Sequence, residues 1–297
     1  MTDPIPKLVQ FYLNSNLLNS NSNFGRRHIS ADRVPILVES LQNNRSLYRL
    51  DLRNNPLGDQ GILRLIPLLR SLPNLEILNL SYTQYGQTGA EILEEFLATN
   101  TTLGEVILSH NITISLIPVL RTNSTLTQVV LSWSNIDDEK AEEIAGALKL
   151  SFSLRVLWLY KNNIGDQGAQ ALAEALKVNR SLTELSLGSN QIGDSGAKAI
   201  GKALKINSTL IRLELCYNPI SPEGYQTLNE LLIFNFSCRH NSAVLSLRGL
   251  YQQATETYRM IRELLKQIDL PNELWLDIAA RTEGVNPMIL AEYLDKN

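Results

Sequence analysis

The chain has 297 residues, 44% of them hydrophobic and 19% charged, with a formal net charge of −3. That balance excludes a disordered or collagen-like chain, and it leaves no basic excess to neutralise phosphates, so nucleic acid is not an expected partner. Leucine (53 residues) and asparagine (27) are abundant while aromatics are only 6%, a bias that points to a repeating chain. The start, Met1 to Lys7, has no basic region followed by an apolar one, so no signal peptide is read there. No run reaches the roughly 18 apolar residues of a membrane span. Cys216 and Cys238 are the only cysteines, too few for a disulfide framework, and the chain reads as cytoplasmic.

In chain order, a degenerate first unit begins at Leu8, with Phe11, Leu13 and Asn16, and is followed by an insertion rich in Asn and Ser through Asn23. The frame L-x-x-L-x-L-x-x-N-x-I/L then fits at Leu47 (Leu50, Leu52, Asn55, Leu57). Looser copies follow at Leu75, Leu103 and Leu126, and good ones at Leu154, Leu182 and Leu210. From Leu47 on, the starts are 28, 28, 23, 28, 28 and 28 residues apart. The L-x-L step predicts a short strand with two inward residues, and the Asn can satisfy backbone groups where the chain turns. Gly165-Asp166-Gln167-Gly168 and Gly193-Asp194-Ser195-Gly196 read as helix starts, with Asp166 and Asp194 as N-caps. Ala169, Leu172, Ala173 and Leu176 supply the apolar stripe of one such helix. The 23-residue unit from Leu103 lacks the Gly-Asp-x-Gly turn. Its helix, near Ile114–Arg121, is short and contains Pro118, so a local irregularity in curvature is expected there. Asn44, Asn100, Asn123, Asn179 and Asn207 each open an Asn-x-Ser/Thr triplet. Each stands three residues before a frame leucine, so they are assigned to the repeat and not to glycosylation.

Residues 1–240 are therefore expected to form a solenoid of about eight repeats, and residues 241–297 a helical cap or small helical domain. In the tail, Leu247, Leu250, Tyr251, Ala254, Tyr258, Ile261, Leu265 and Ile268 fall at three- and four-residue steps, the spacing of an amphipathic helix. Asn286-Pro287 reads as the start of a last one.

The repeat resembles the leucine-rich repeats of the ribonuclease-inhibitor-like class over about residues 8–237. That resemblance implies an α/β horseshoe, with parallel strands on the concave side and helices on the convex side. The Asn-rich repeat is also similar in style to the leucine-rich-repeat effectors that intracellular bacteria inject. For such a virulence protein, it implies delivery into a host-cell cytosol without a cleaved signal peptide.

Little in the chain suggests catalysis, and the protein is not expected to be an enzyme. The histidines are His28, His110 and His240. The Cys238–His240 pair is adjacent in sequence only, a weak basis for a nucleophile and base. No Cys/His spacing suits zinc, no phosphate loop is present, and no cofactor, metal or small-molecule ligand is expected.

Offsets +2, +4, +6 and +7 from each frame leucine should face the concave side. The +4 column is Tyr12, Asp51, Asn79, Ile107, Val130, Trp158, Ser186 and Glu214; the +7 column is Ser15, Asn54, Tyr82, His110, Trp133, Lys161, Ser189 and Tyr217. Ile107, Val130 and Trp158 thus lie side by side, with Tyr82, His110 and Trp133 next to them and Tyr160 adjoining. Rings suit strands in any case, but an aromatic patch where the core needs none points to a partner protein. Arg49 and Arg53 flank it on the N-terminal side, with Glu184, Arg212 and Glu214 on the other, and such charges set orientation and association rate. The predicted site is therefore Arg49, Arg53, Tyr82, Ile107, His110, Val130, Trp133, Trp158, Tyr160, Lys161, Glu184, Glu214 and Tyr217. The resemblance implies that the partner is an enzyme whose active site is covered. The alternative it offers is a GTPase-activating protein of the Ran activator type. A ubiquitin ligase is disfavoured because the tail after residue 241 has no cysteine.

Overall fold

The computed structural model describes residues 21–112 and 114–228. Each repeat begins with a three-residue strand. In chain order these are β1 (Asn21–Asn23), β2 (Arg49–Asp51), β3 (Ile77–Asn79), β4 (Glu105–Ile107), β5 (Gln128–Val130), β6 (Val156–Trp158), β7 (Glu184–Ser186) and β8 (Arg212–Glu214). All pair in parallel as one sheet in sequence order. The helices between them are α1 (Val34–Leu41), α2 (Gly58–Ser71), α3 (Gln87–Thr99), α4 (Leu116–Thr122), α5 (Asp138–Leu150), α6 (Asp166–Val178) and α7 (Asp194–Leu204). Further helix runs over 222–228. The core lies between sheet and helices. The strand leucines Leu50, Leu78, Leu157 and Leu185 are buried, as are Ile62, Leu93, Leu172 and Ile200 of the helices facing them. No unit could bury such a face alone, so stacking makes the core.

The first unit departs from expectation. Asn21 pairs with Arg49 and Ser22 with Leu50, so the 28-residue spacing runs back into the segment read as an insertion. Ser22, Phe24 and Ile29, all buried, stand where Leu50, Leu52 and Leu57 stand one unit on. A serine in the first inward position hid this strand. The unit read at Leu8 lies outside the described residues, as do the tail helices expected over 241–297.

Two asparagine ladders satisfy the turns. Asn162 accepts from the N–H groups of Ser134 and Ile136 in the preceding unit and donates to the carbonyls of Leu131 and Leu159. Asn55, Asn111, Asn190 and Asn218 repeat much of this pattern. The second ladder uses the Asn-x-Ser/Thr residues. Asn123, Asn179 and Asn207 are buried, and each accepts from the frame-leucine N–H three residues on. The frame assigned them to the repeat, and this hydrogen bond is what they do there.

The helix starts are capped differently from expectation. Asp166 and Asp194 occupy the first turns of their own helices, behind Gly165 and Gly193. Each serves the next unit. Asp166 Oδ1 accepts from Gly193 N and Gly196 N, both at 2.8 Å. Asp138 does the same for Gly165 and Gly168, and Asp59 for Gly86 and Gly89. A carboxylate there also meets the positive end of the following helix. Asp194 accepts from the N–H and hydroxyl of Ser221.

The short unit interrupts this ladder but not the sheet. Val106 pairs with Val129, and Val129 with Leu157, in unbroken register. The shortening falls on α4, which has seven residues against 13 in α3 and α5. With no aspartate in its first turn, α4 cannot cap α5, and α5 is capped by its own Asp137, which accepts from Lys140 N.

Candidate protein-interaction site

The sheet face expected to be concave is less open than the alternation of strand side chains suggests. In the +4 column, Asp51, Asn79, Val130 and Ser186 are all buried. The polar members turn back onto their neighbours. Asp51 accepts from Arg53 N, Asn79 from Ser81 N, and Ser186 donates to Glu214. Val130, placed in the predicted patch, is only 6% exposed. It lies in register beside Trp158, which stands out at 40%. Ile107 and Tyr160 are half-buried.

The +7 column is the accessible one, and its backbone has a common feature. Arg26, Asn54, Tyr82, His110, Trp133, Lys161, Ser189 and Tyr217 all have φ between +54° and +59°. The seven from Arg26 to Ser189 each donate the N–H to the residue before their counterpart in the next unit, as Trp133 does to Tyr160 O at 3.1 Å. The inter-unit ladder therefore runs past the strands through these left-handed residues. Asn takes this conformation with little strain; bulky side chains do not.

Four of these side chains make a continuous stack over four units. The rings of Tyr82 and His110 lie 4.2 Å apart at 29°, those of His110 and Trp133 4.9 Å apart at 23°. Lys161 Nζ sits 3.6 Å from the centre of the Trp133 ring, a cation–π contact. Tyr82 and Trp133 remain 48% and 44% exposed. Burial, and secondarily the Lys161 charge, lower the His110 pKa below its ordinary value, so the stack is built around a neutral imidazole at pH 7. Tyr217 is exposed two units beyond Lys161.

The flanking charges are largely engaged within the molecule. Arg53 Nε lies 3.4 Å from Asp51, and Arg212 bonds Glu184 at 3.1 Å. Glu214 accepts from Ser186 and from the Cys216 thiol. Burial, then the hydrogen bond and charge of Glu214, push the Cys216 pKa up to about 12, which holds the thiol protonated and unreactive. Arg49 is half-buried on β2. Among the described residues, no group of three or more His, Cys, Asp or Glu is placed to hold a metal ion, and no helix is long and apolar enough to cross a membrane.

Sequence reasoning missed a cleft of about 1100 Å³ that borders the stack. Tyr82, His110 and Trp133 form one side. Gln87, Glu91 and Glu94 of α3 and Asp137, Lys140 and Glu143 at the start of α5 line it further in. The 23-residue spacing was the signal for it.

A family model described as Leucine Rich repeat matches residues 43–65, 122–145, 150–173 and 178–201. No curated protein matches the chain. Among solved structures, "Leiomodin-1 Actin-Binding Site 2 (ABS2)" is 25% identical over 52% of this chain and 94% of that one, with a TM-score of 0.42. The tropomodulin C-terminal domain of Caenorhabditis elegans is 19% identical over 64% of this chain and 98% of its own, with a TM-score of 0.40. The matched segments fall on four of the strand, turn and helix units, three of them consecutive, of one continuous parallel sheet, and the described part of the chain has the fold of a leucine-rich-repeat solenoid.

Proposed function

We propose that the protein is an interaction scaffold that seats a folded partner protein on the strip Tyr82–His110–Trp133–Lys161, with Trp158 and Tyr160 beside it. The observation that carries this reading is the stack itself. Its Tyr82 and Trp133 rings are exposed, and all three rings are held in a backbone conformation that Asn, present at position 54 of the same column, would occupy at lower cost. Trp and Tyr are also the residue types that most often dominate interface energy. A preformed surface loses little entropy on binding. The finer reading, taken from the resemblance to ribonuclease-inhibitor-like repeats, is that the partner is an enzyme and that binding covers its active site. The full-length helices of 13 residues in α3, α5 and α6 support that class.

The test is affinity capture with the wild type and with a Tyr82→Asn/Trp133→Asn double variant, followed by titration calorimetry on the captured protein. The variant is expected to lose the partner while keeping its thermal transition. Equal affinity for both chains would remove the strip from the interface. Assay of the partner's own activity with and without the scaffold then tests occlusion.

A further inference from the structure

The cleft beside the strip exists because one helix is short. α4 keeps its usual distance from the strand that follows it and has six fewer residues than its neighbours. It therefore ends about 9 Å short at its N-terminus, at 1.5 Å per residue. Where nearly two turns of helix would sit, the N-terminal halves of α3 and α5 border a gap. One wall carries Gln87, Glu91 and Glu94, the other Asp137, Lys140 and Glu143. Four acidic residues against one lysine leave the lining at −3.

A second, independent feature points into this space. Tyr85 lines the cleft and is 3% exposed, yet its hydroxyl has no hydrogen-bond partner. A buried hydroxyl left unpaired is costly, and a native structure seldom keeps one without a use. Burial, and then the charge of Glu94, push the Tyr85 pKa up, which places that carboxylate within electrostatic reach of the hydroxyl. Glu94 Oε1 accepts from Ser115 N at 2.6 Å, leaving its second oxygen for another donor. The Tyr82, His110 and Trp133 rings line the same cleft.

We propose that this cleft receives the guanidinium group of an arginine side chain, with Glu94 and Glu91 as its carboxylate partners and the Tyr85 hydroxyl as a further acceptor. A guanidinium suits the site better than an ammonium. It presents several donors in a fixed plane to carboxylates, where an ammonium is a point charge. The inference deepens the partner-binding reading and rests on it only for the source of the arginine, a segment of the seated protein.

The experiment uses the full chain at low ionic strength, where exposed charges are least screened. The probes are N-acetyl-arginine amide, the matching lysine compound and the neutral citrulline isostere, followed by NMR. The arginine compound should bind saturably and shift the amides of Gln87, Glu94 and Ser115. The citrulline compound should not saturate. Glu94→Gln keeps the acceptor for Ser115 and should weaken the arginine probe about tenfold, the loss of one charge-assisted hydrogen bond. Tyr85→Phe should also weaken it, without loss of thermal stability. Citrulline binding as well as arginine, lysine binding as well as arginine, or an unchanged affinity in Glu94→Gln would each overturn the assignment. None of these outcomes depends on the strip. If the arginine probe binds while the Tyr82→Asn/Trp133→Asn variant still captures its partner, the strip reading alone fails.

Discussion

At the scale of single residues, the left-handed column explains how a solenoid can carry large side chains on a crowded sheet face. The sheet continues its hydrogen bonding through residues such as Trp133, and the same turn lifts their side chains out of the buried +4 layer. The cost depends on the side chain. Trp133→Asn gives up one stacking and one cation–π contact, each worth about 1 kcal/mol at an exposed site, and relieves strain of similar size. It should leave stability within about 1 kcal/mol of wild type. Trp133→Val places a β-branched residue at φ near +59° and should lose about 2 kcal/mol or more. Urea denaturation separates the two, and equal tolerance of Asn and Val would mean that the left-handed backbone imposes no constraint. His110 gives a second prediction. Its folded pKa lies below 6.5, through burial first and Lys161 second. Between 6.5 and that lower value the unfolded chain binds a proton that the folded chain does not. His110 therefore contributes a loss of stability as pH falls through this window and no pH dependence above it. The imidazole Cε1–H resonance should titrate below 6.5. Lys161→Met should recover only the smaller part of the shift, and a midpoint restored to 6.5 would make the lysine the main cause.

At the scale of the element, the Gly-Asp-x-Gly start is a joint between units. The aspartate on one helix occupies the space that the second glycine of the next must leave open. A Cβ on Gly168 would lie 2.7 Å from Asp138 Oδ1 and 2.7 Å from Ala141 Cβ. Helix propensity alone favours alanine over glycine by up to about 1 kcal/mol, but overpacking of this kind costs about 1–3 kcal/mol. Gly168→Ala is therefore expected to destabilise by about 2 kcal/mol and to weaken the capping of α6. Gly146, within α5, is the control. A Cβ there meets only Ile117 Cδ1 at 3.9 Å, so Gly146→Ala should stabilise by about 0.5–1 kcal/mol. If thermal unfolding shows both substitutions stabilising, the joint has room to spare and the glycine is there for another reason.

At the scale of the whole molecule, the period made most of the fold legible. Leucines and asparagines recurring at 28 residues fix strand, turn and helix together, since each unit must present the same face to the next. What escaped the sequence depends on neighbours. Capping rules consider a residue's own helix, so Asp166 was read as the N-cap of α6, but it lies in the first turn behind Gly165 and its hydrogen bonds lie 27 and 30 residues on. Ser22 breaks the leucine pattern, so β1 was read as an insertion. The strip residues followed from their offset, whereas the burial of Val130 and the left-handed backbone depend on adjacent strands. The short unit was visible as a spacing of 23, yet only the structure shows which layer absorbs it. That division predicts how the molecule opens. α4 buries Leu116, Val119 and Leu120 and lacks an aspartate joint to α5, while α6 buries six residues and is joined on both sides. In a linear array each unit is held by its own core and its neighbours, so α4 is held less firmly than α6. The sheet beneath it is continuous, with Leu108 N–H bonded to Val130 O and Leu131 N–H to Trp158 O. Native-state hydrogen exchange should therefore show the α4 amides opening locally at a free energy well below that of α6, while Leu108 and Leu131 exchange only with the bulk of the sheet. Local opening of α4 would widen the cleft without disturbing the aromatic stack. If Leu108 and Leu131 instead exchange together with α4, the short unit is a break through both layers, and the strip on either side of it would not form one rigid surface.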